Sequence, residues 1–222
     1  MLYIIVAVGI MMLARKYLTI PDELFRKILH FILLGAYIPL VFAFETWWMA
    51  AIFAISLIII LFPALSIAGK VPMFSSFVNE RKKGEFKSSM VFAVGMMAFS
   101  VCICWGLFGE KYLVLACVYA WGIGDGLAAL IGKRFGKHKI KWKLADGKKS
   151  VEGSLTMFLC SLISVFTVLL VRGGIDMAMC FAIAFLAAII CTIAELCAKD
   201  GLDTIICPVS AMIVIIPMVV LF

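Results

Sequence analysis

Apolar runs of about twenty residues alternate with short polar stretches along most of this chain. Eight such runs stand out: 1–18, 28–44, 46–66, 88–108, 112–132, 151–171, 174–195 and 204–222. A helix needs about 20 apolar residues to cross a bilayer. The pattern therefore predicts an all-α fold, a polytopic membrane helix bundle of about eight transmembrane helices, in a single integral-membrane domain over 1–222. The first run is the weakest, because its unbroken apolar part stops at Leu13, ahead of Arg15 and Lys16. It carries no basic start or small-residue cleavage site, so it reads as a helix rather than a signal peptide.

Composition agrees with the pattern. The 222 residues are 65% hydrophobic, with a mean hydropathy of +1.18, well above the near-even balance of a soluble domain. No polar stretch is long enough for a separate soluble domain, and no linker, repeat or low-complexity block divides the chain. Charge then orients the bundle. Eighteen of the 20 Lys and Arg residues fall in four connections, 14–27, 67–87, 133–150 and 196–203. Only Lys111 and Arg172 lie on the other side. The positive-inside rule places those four connections in the cytoplasm. The net charge of +7 is mostly this bias. The basic residues border membrane helices without an aromatic stacking pattern, which argues against nucleic acid and for anionic lipid or nucleotide. The eight cysteines include no C-x-x-C pair and read as small apolar fillers.

Ionisable groups inside spanning segments are costly and mark function by default. Asp125 is the deepest, flanked by Gly122, Gly124 and Gly126, which let a helix or a ligand come close. Glu195 lies late in the seventh run and Asp203 opens the eighth, so a short hairpin returns both to the cytoplasmic surface. Three carboxylates at one level suit Mg²⁺, which takes oxygen ligands and bridges protein to phosphate; for Asp203 the competing role is a helix cap. The segment "DGKKSVEG", Asp146 to Gly153, sets Gly147, Lys148, Lys149 and Ser150 before a helix start. That arrangement resembles a phosphate cradle, with backbone N–H groups and a positive dipole end. Its competing reading is a basic loop that only obeys topology. Glu152 caps the helix or serves the metal. In "RKILHF", Arg26 and His30 are four apart and share a helix face, a place for phosphate binding by Arg26 and proton handling by His30. No G-x-x-x-x-G-K-[ST] loop occurs, and "GDGLAA" lies in a membrane run rather than after a strand.

The stretch "GDGLAALIGKRFGKHKI…DGKKSVEGS" resembles the polyprenol kinase family, which includes dolichol kinase, phytol kinase and CTP-dependent diacylglycerol kinase. The matching positions are Gly124, Asp125, Gly132, Lys133, Phe135, Gly136 and Lys137, then Gly147, Lys148, Lys149, Ser150, Glu152 and Gly153. Arg26, Lys27 and His30 match an early motif of the phytol kinase branch. Glu195, Asp203 and Pro208 match a late one, although Thr204 stands where the family has Asn. The resemblance implies a lipid kinase that passes the γ-phosphoryl group of CTP to a membrane lipid alcohol such as a polyprenol, phytol or diacylglycerol. Asp125, Glu195 and Asp203 would then hold Mg²⁺. Lys148, Lys149, Lys133, Lys137, Ser150 and Arg26 would bind the nucleotide, and Asp125, Lys149 and His30 would carry catalysis. The same block is similar to phosphatidate cytidylyltransferase, a CTP-using enzyme whose Gly-His-Gly-Gly signature this chain lacks. A transporter for an anionic solute is the third reading, but it calls for polar groups near the midplane from both sides. Here they gather on the cytoplasmic side.

Overall fold

The computed structural model describes residues 2–68, 85–141, 149–198 and 201–221. All the regular elements among them are helical. We label them α1 (Leu2–Tyr17), α2 (Asp22–Gly35), α3 (Tyr37–Ala43), α4 (Trp47–Ala68), α5 (Glu85–Ser100), α6 (Lys111–Phe135), α7 (Val151–Arg172), α8 (Met177–Cys197) and α9 (Asp203–Leu221). A π-helical segment, Val101–Leu107, continues α5. Five stretches are long and apolar enough to cross a membrane: Asp22–Ala43, Lys111–Phe135, Val151–Arg172, Met177–Cys197 and Asp203–Leu221. The other three predicted runs also form helices, and over the described residues their apolar stretches are Val6–Arg15, Trp47–Ile60 and Val91–Leu107.

The chain divides into two compact units, Met1–Cys102 and Ile103–Phe222. In the first, α2 begins directly after Pro21, whose fixed φ suits a helix start. Asp22 and Glu23 fill its first turn, where negative charge complements the helix dipole. Arg15 of α1 pairs with Asp22 and lies 4.3 Å over the Phe25 ring, tying α1 to α2. Packing then runs in chain order from α2 through α3 to α4, and α5 packs on α4.

The second unit is a four-helix arrangement in which α6 packs on α7, α7 on α8, α8 on α9, and α9 returns to α6. Glycines explain how closely α6 and α7 approach. A Cβ on Gly132 would stand 3.3 Å from the Cα of Gly153, and one on Gly153 would stand 3.2 Å from the Ala128 carbonyl oxygen. A Cβ on Gly124 would run into the Met157 sulfur and lie 3.0 Å from Ser161 Oγ. Close backbone approach through small residues is how membrane helices gain dispersion contact without a hydrophobic driving force. Gly124, beside Asp125, therefore serves helix packing. Ser161, fully buried, donates to the Ala120 carbonyl across the same seam. At the far end, Gly173 (φ 72°) and Gly174 (φ 78°) take the left-handed backbone that turns α7 into α8. Asp176 then caps α8 by accepting from the N–H groups of Ala178 and Met179. All eight cysteines are free thiols and five are buried, as expected of apolar fillers.

Candidate functional site

The site is built at the end of the second unit where α6 and α8 finish and α7 and α9 begin. Asp125 lies inside α6 and is 8% exposed; Glu195 lies two residues from the end of α8 and is 4% exposed. The helices that hold them are apolar on most faces, so neither carboxylate reaches bulk water without a partner. Lys149 supplies one. It immediately precedes Ser150, the N-cap of α7, and its ammonium forms an ion pair with Glu195. The two residues are 46 apart in sequence.

The same ammonium is also attracted by Asp125 and Asp203. Burial pulls the Lys149 amine toward its neutral form, yet Glu195, then Asp125 and Asp203, outweigh it and hold the amine above its ordinary value. Asp203, the first residue of α9, is half-buried and accepts from the N–H of buried Thr204 at 2.8 Å. The departure from the family's Asn thus falls on a residue whose N–H and hydroxyl both face the Asp203 carboxylate. Among the described residues, no three of His, Cys, Asp or Glu stand close enough to form a metal site on their own. What the structure joins directly is Lys149 and Glu195, with Asp125 and Asp203 acting on the same ammonium.

The loop before α7 is fastened at its base. Ile140 N–H donates to the Lys149 carbonyl and Val151 N–H to the His138 carbonyl, both at 3.0 Å, around an antiparallel bridge between Lys139 and Ser150. Glu152 accepts the N–H groups of Lys137 (3.2 Å) and His138 (3.3 Å) and meets His138 Nδ1 at 2.8 Å. Glu152 therefore anchors the loop. Ser150 is 3% exposed, and its hydroxyl accepts the Gly153 N–H at 3.2 Å, so it caps α7. Removing such a cap costs about 1 kcal/mol. Lys133 and Lys137 are exposed on either side of Gly136. Lys148 lies outside the described residues. Sequence reasoning gave His138 no role, and a partner fourteen residues away leaves no periodic signal.

The early motif belongs to the first unit. Arg26 is exposed and bonds Glu23 at 2.6 Å, one helical turn back. Lys27 is buried at 7% exposure. The His30 ring meets Phe31 edge-on, with centroids 6.0 Å apart.

Comparison with curated proteins places this chain beside two kinds of lipid kinase. It is 28% identical to the dolichol kinase of Mus musculus and 29% identical to that of Homo sapiens, in each case over 167 residues and 68% of this chain. It is 26% identical to the phytol kinase of Synechocystis sp. (strain ATCC 27184 / PCC 6803 / Kazusa) over 200 residues, which are 87% of this chain and 78% of that protein. The chain is a relative of the polyprenol kinases. It spans about 30% of the length of the dolichol kinases it matches. No family model and no solved structure matches it.

Proposed function

We propose that this chain is an integral-membrane lipid kinase that transfers the γ-phosphoryl group of CTP to the hydroxyl of a membrane lipid alcohol: a polyprenol, phytol or diacylglycerol. One observation carries the reading. Lys149, from the segment that resembles a phosphate cradle, meets Glu195 in the company of Asp125 and Asp203, in a chain whose relatives are named dolichol kinase and phytol kinase. On this reading about eight helices cross the membrane, the basic loops face the cytoplasm, and the lipid enters sideways with its hydroxyl at that surface.

Phosphoryl transfer asks a protein mainly for positioning and charge neutralisation. Lys149 and Lys148 neutralise the phosphates, with Lys133 and Lys137 adding positive charge around them; Arg26 keeps the phosphate-binding role that the family resemblance implies. Ser150 and Glu152 keep the loop base in register, so that Lys149 is presented from fixed backbone. Asp125, Glu195 and Asp203 would be the donors for Mg²⁺. Their chemistry fits the ion, which takes oxygen ligands and needs only one or two carboxylates when phosphates complete its shell. When bound, Mg²⁺ would neutralise charge on the transferring phosphate. The acceptor hydroxyl passes its proton to a carboxylate of the cluster.

The deciding assay gives purified full-length protein CTP labelled at the α or the γ position, with a panel of lipids. A kinase puts γ label into a neutral lipid alcohol and releases CDP. Recovery of α label in a CDP-lipid made from phosphatidate, with pyrophosphate released, would overturn the kinase reading in favour of a cytidylyltransferase.

A further inference from the structure

We propose that Lys149 is the resident counter-ion of this site: its ammonium takes the place of a divalent cation beside Glu195, and a phosphate-bearing ligand must draw it away for the cation to enter. The inference rests on the kinase reading for the identity of that ligand, but its first test does not.

The argument starts from Glu195, whose side chain is only 6% exposed. A carboxylate so buried is strongly destabilising when left charged without a positive partner, so whenever it is ionised a cation must accompany it. Lys149 fills that role here. It also serves the other two carboxylates, since Asp125 and Asp203 attract the same ammonium. Among the described residues no three acidic, His or Cys side chains stand close enough to form a metal cage, so a cation there would need oxygen donors from a phosphate ligand as well.

The lysine is also able to leave. Its backbone is held by the Ile140 N–H on its carbonyl and by the Ser150 cap next door. Its side chain is 23% exposed and sits on a flexible four-carbon stem. Movement is therefore confined to the side chain, which can swing from Glu195 toward a phosphate without unfolding the loop base. A divalent cation arriving alone would meet the positive charge of Lys149. A polyphosphate arriving alone would take Lys149 and strand Glu195. Only the two together replace both halves of the ion pair, so each raises the affinity of the other, a coupling that is reciprocal by thermodynamic necessity. No covalent step is involved.

The test titrates Mn²⁺ into the detergent-solubilised full-length protein without nucleotide and follows free Mn²⁺ by electron paramagnetic resonance. Wild type is compared with Lys149→Met, which keeps the length of the side chain and removes its charge. Losing a unit charge beside the cation should tighten Mn²⁺ binding by at least about tenfold. Lys149→Gln keeps a donor for Glu195 and carries the same comparison if the methionine variant does not fold. Equal Mn²⁺ affinity in wild type and variant overturns the counter-ion role. A separate titration of wild type with a non-hydrolysable CTP analogue and Mn²⁺ tests the underlying reading. Absence of nucleotide binding there removes the kinase assignment, while the Mn²⁺ comparison still decides the role of Lys149.

Discussion

Glu195→Gln and Lys149→Met should cost unequal amounts of stability, and the inequality follows from their surroundings. Two unit charges about 4 Å apart attract by about 4 kcal/mol at an effective dielectric of about 20. Breaking a buried pair from one side typically costs about 3–5 kcal/mol, because the remaining charge is stranded. Glu195→Gln strands very little. The amide keeps an oxygen acceptor, Lys149 keeps the attraction of Asp125 and Asp203, and its side chain is 23% exposed and can reach water. A loss of about 2 kcal/mol is expected, below the usual range for a broken buried pair. Lys149→Met leaves Glu195 at 6% exposure without its ion-pair partner, while Asp125 and Asp203 still act against its negative charge. Its loss belongs in the full range of about 3–5 kcal/mol. The double variant should then recover about 2 kcal/mol relative to the sum of the two, as contacting residues do. Equilibrium unfolding of the full-length protein in mixed micles of mild and denaturing detergent, with all four members of the cycle, supplies these values. Additivity within about 0.5 kcal/mol would refute the coupling, and a Glu195→Gln loss exceeding that of Lys149→Met would refute the proposed asymmetry.

Asp125→Asn keeps the size of a side chain buried in α6 but removes its charge; turnover should fall at least about a hundredfold with the fold retained, and near-normal turnover at saturating Mg²⁺ would remove Asp125 from the mechanism. Gly136→Ala should destabilise the loop base by about 1–3 kcal/mol, since its Cβ would collide with the Gly132 carbonyl oxygen and lie 2.8 Å from Ser150 Cβ; Gly95→Ala, with nothing within 4 Å of its Cβ, is the control, and equal stability of the two variants would defeat the packing argument. Because Lys149 is held above its ordinary value of 10.5, its contribution is complete below that pH and is lost only as pH rises through the higher folded value. The stability advantage of wild type over Lys149→Met should thus hold flat from about pH 7 to 9 and shrink only above about 10.5, and a decline already at about pH 8 would contradict the retained charge. Lys141→Cys should be labelled from the cytoplasmic side alone, and labelling from outside intact cells would reverse the orientation.

The helices were legible because a bilayer-length apolar run is a long signal, and each of the eight runs is indeed helical. Asp125 and Glu195 were legible for a related reason: an acidic residue inside such a run has few roles other than a functional one. Their partner was harder to read. Lys149 precedes a predicted helix and invites assignment to phosphate, yet here it serves Glu195, 46 residues away. No local spacing encodes that contact, which depends on α8 packing beside α7. The glycines were legible only in part. Gly124 could admit a helix or a ligand, and it faces a neighbouring helix, as Gly132 and Gly153 do. Glycine permits close approach of any backbone or ligand, and sequence does not say which. Glu152 and Ser150 likewise turned out to hold the loop to the helix start, a role that depends on the bridge between Lys139 and Ser150.

Helix α7 is held by an ion pair at both ends, and the contrast between them points to where the chemistry lies. At one end Arg172 forks onto Glu110, with Nε to Oε2 at 3.1 Å and a terminal nitrogen to Oε1 at 2.8 Å. The side chains are 18% and 31% exposed, so water shares the load. One cation meets one anion in bidentate geometry, as an arrangement selected for stability should. At the other end Lys149 meets Glu195 while Asp125 and Asp203 act on the same ammonium. Fastening α7 required only one carboxylate, and each further one adds repulsion and desolvation in an apolar surrounding. Stability alone would remove that excess negative charge, since stabilising changes are readily available to natural proteins unless function opposes them. Three carboxylates acting on the movable Lys149, with Glu195 and Asp125 buried and Asp203 half-buried, are instead what the proposed cation site would require.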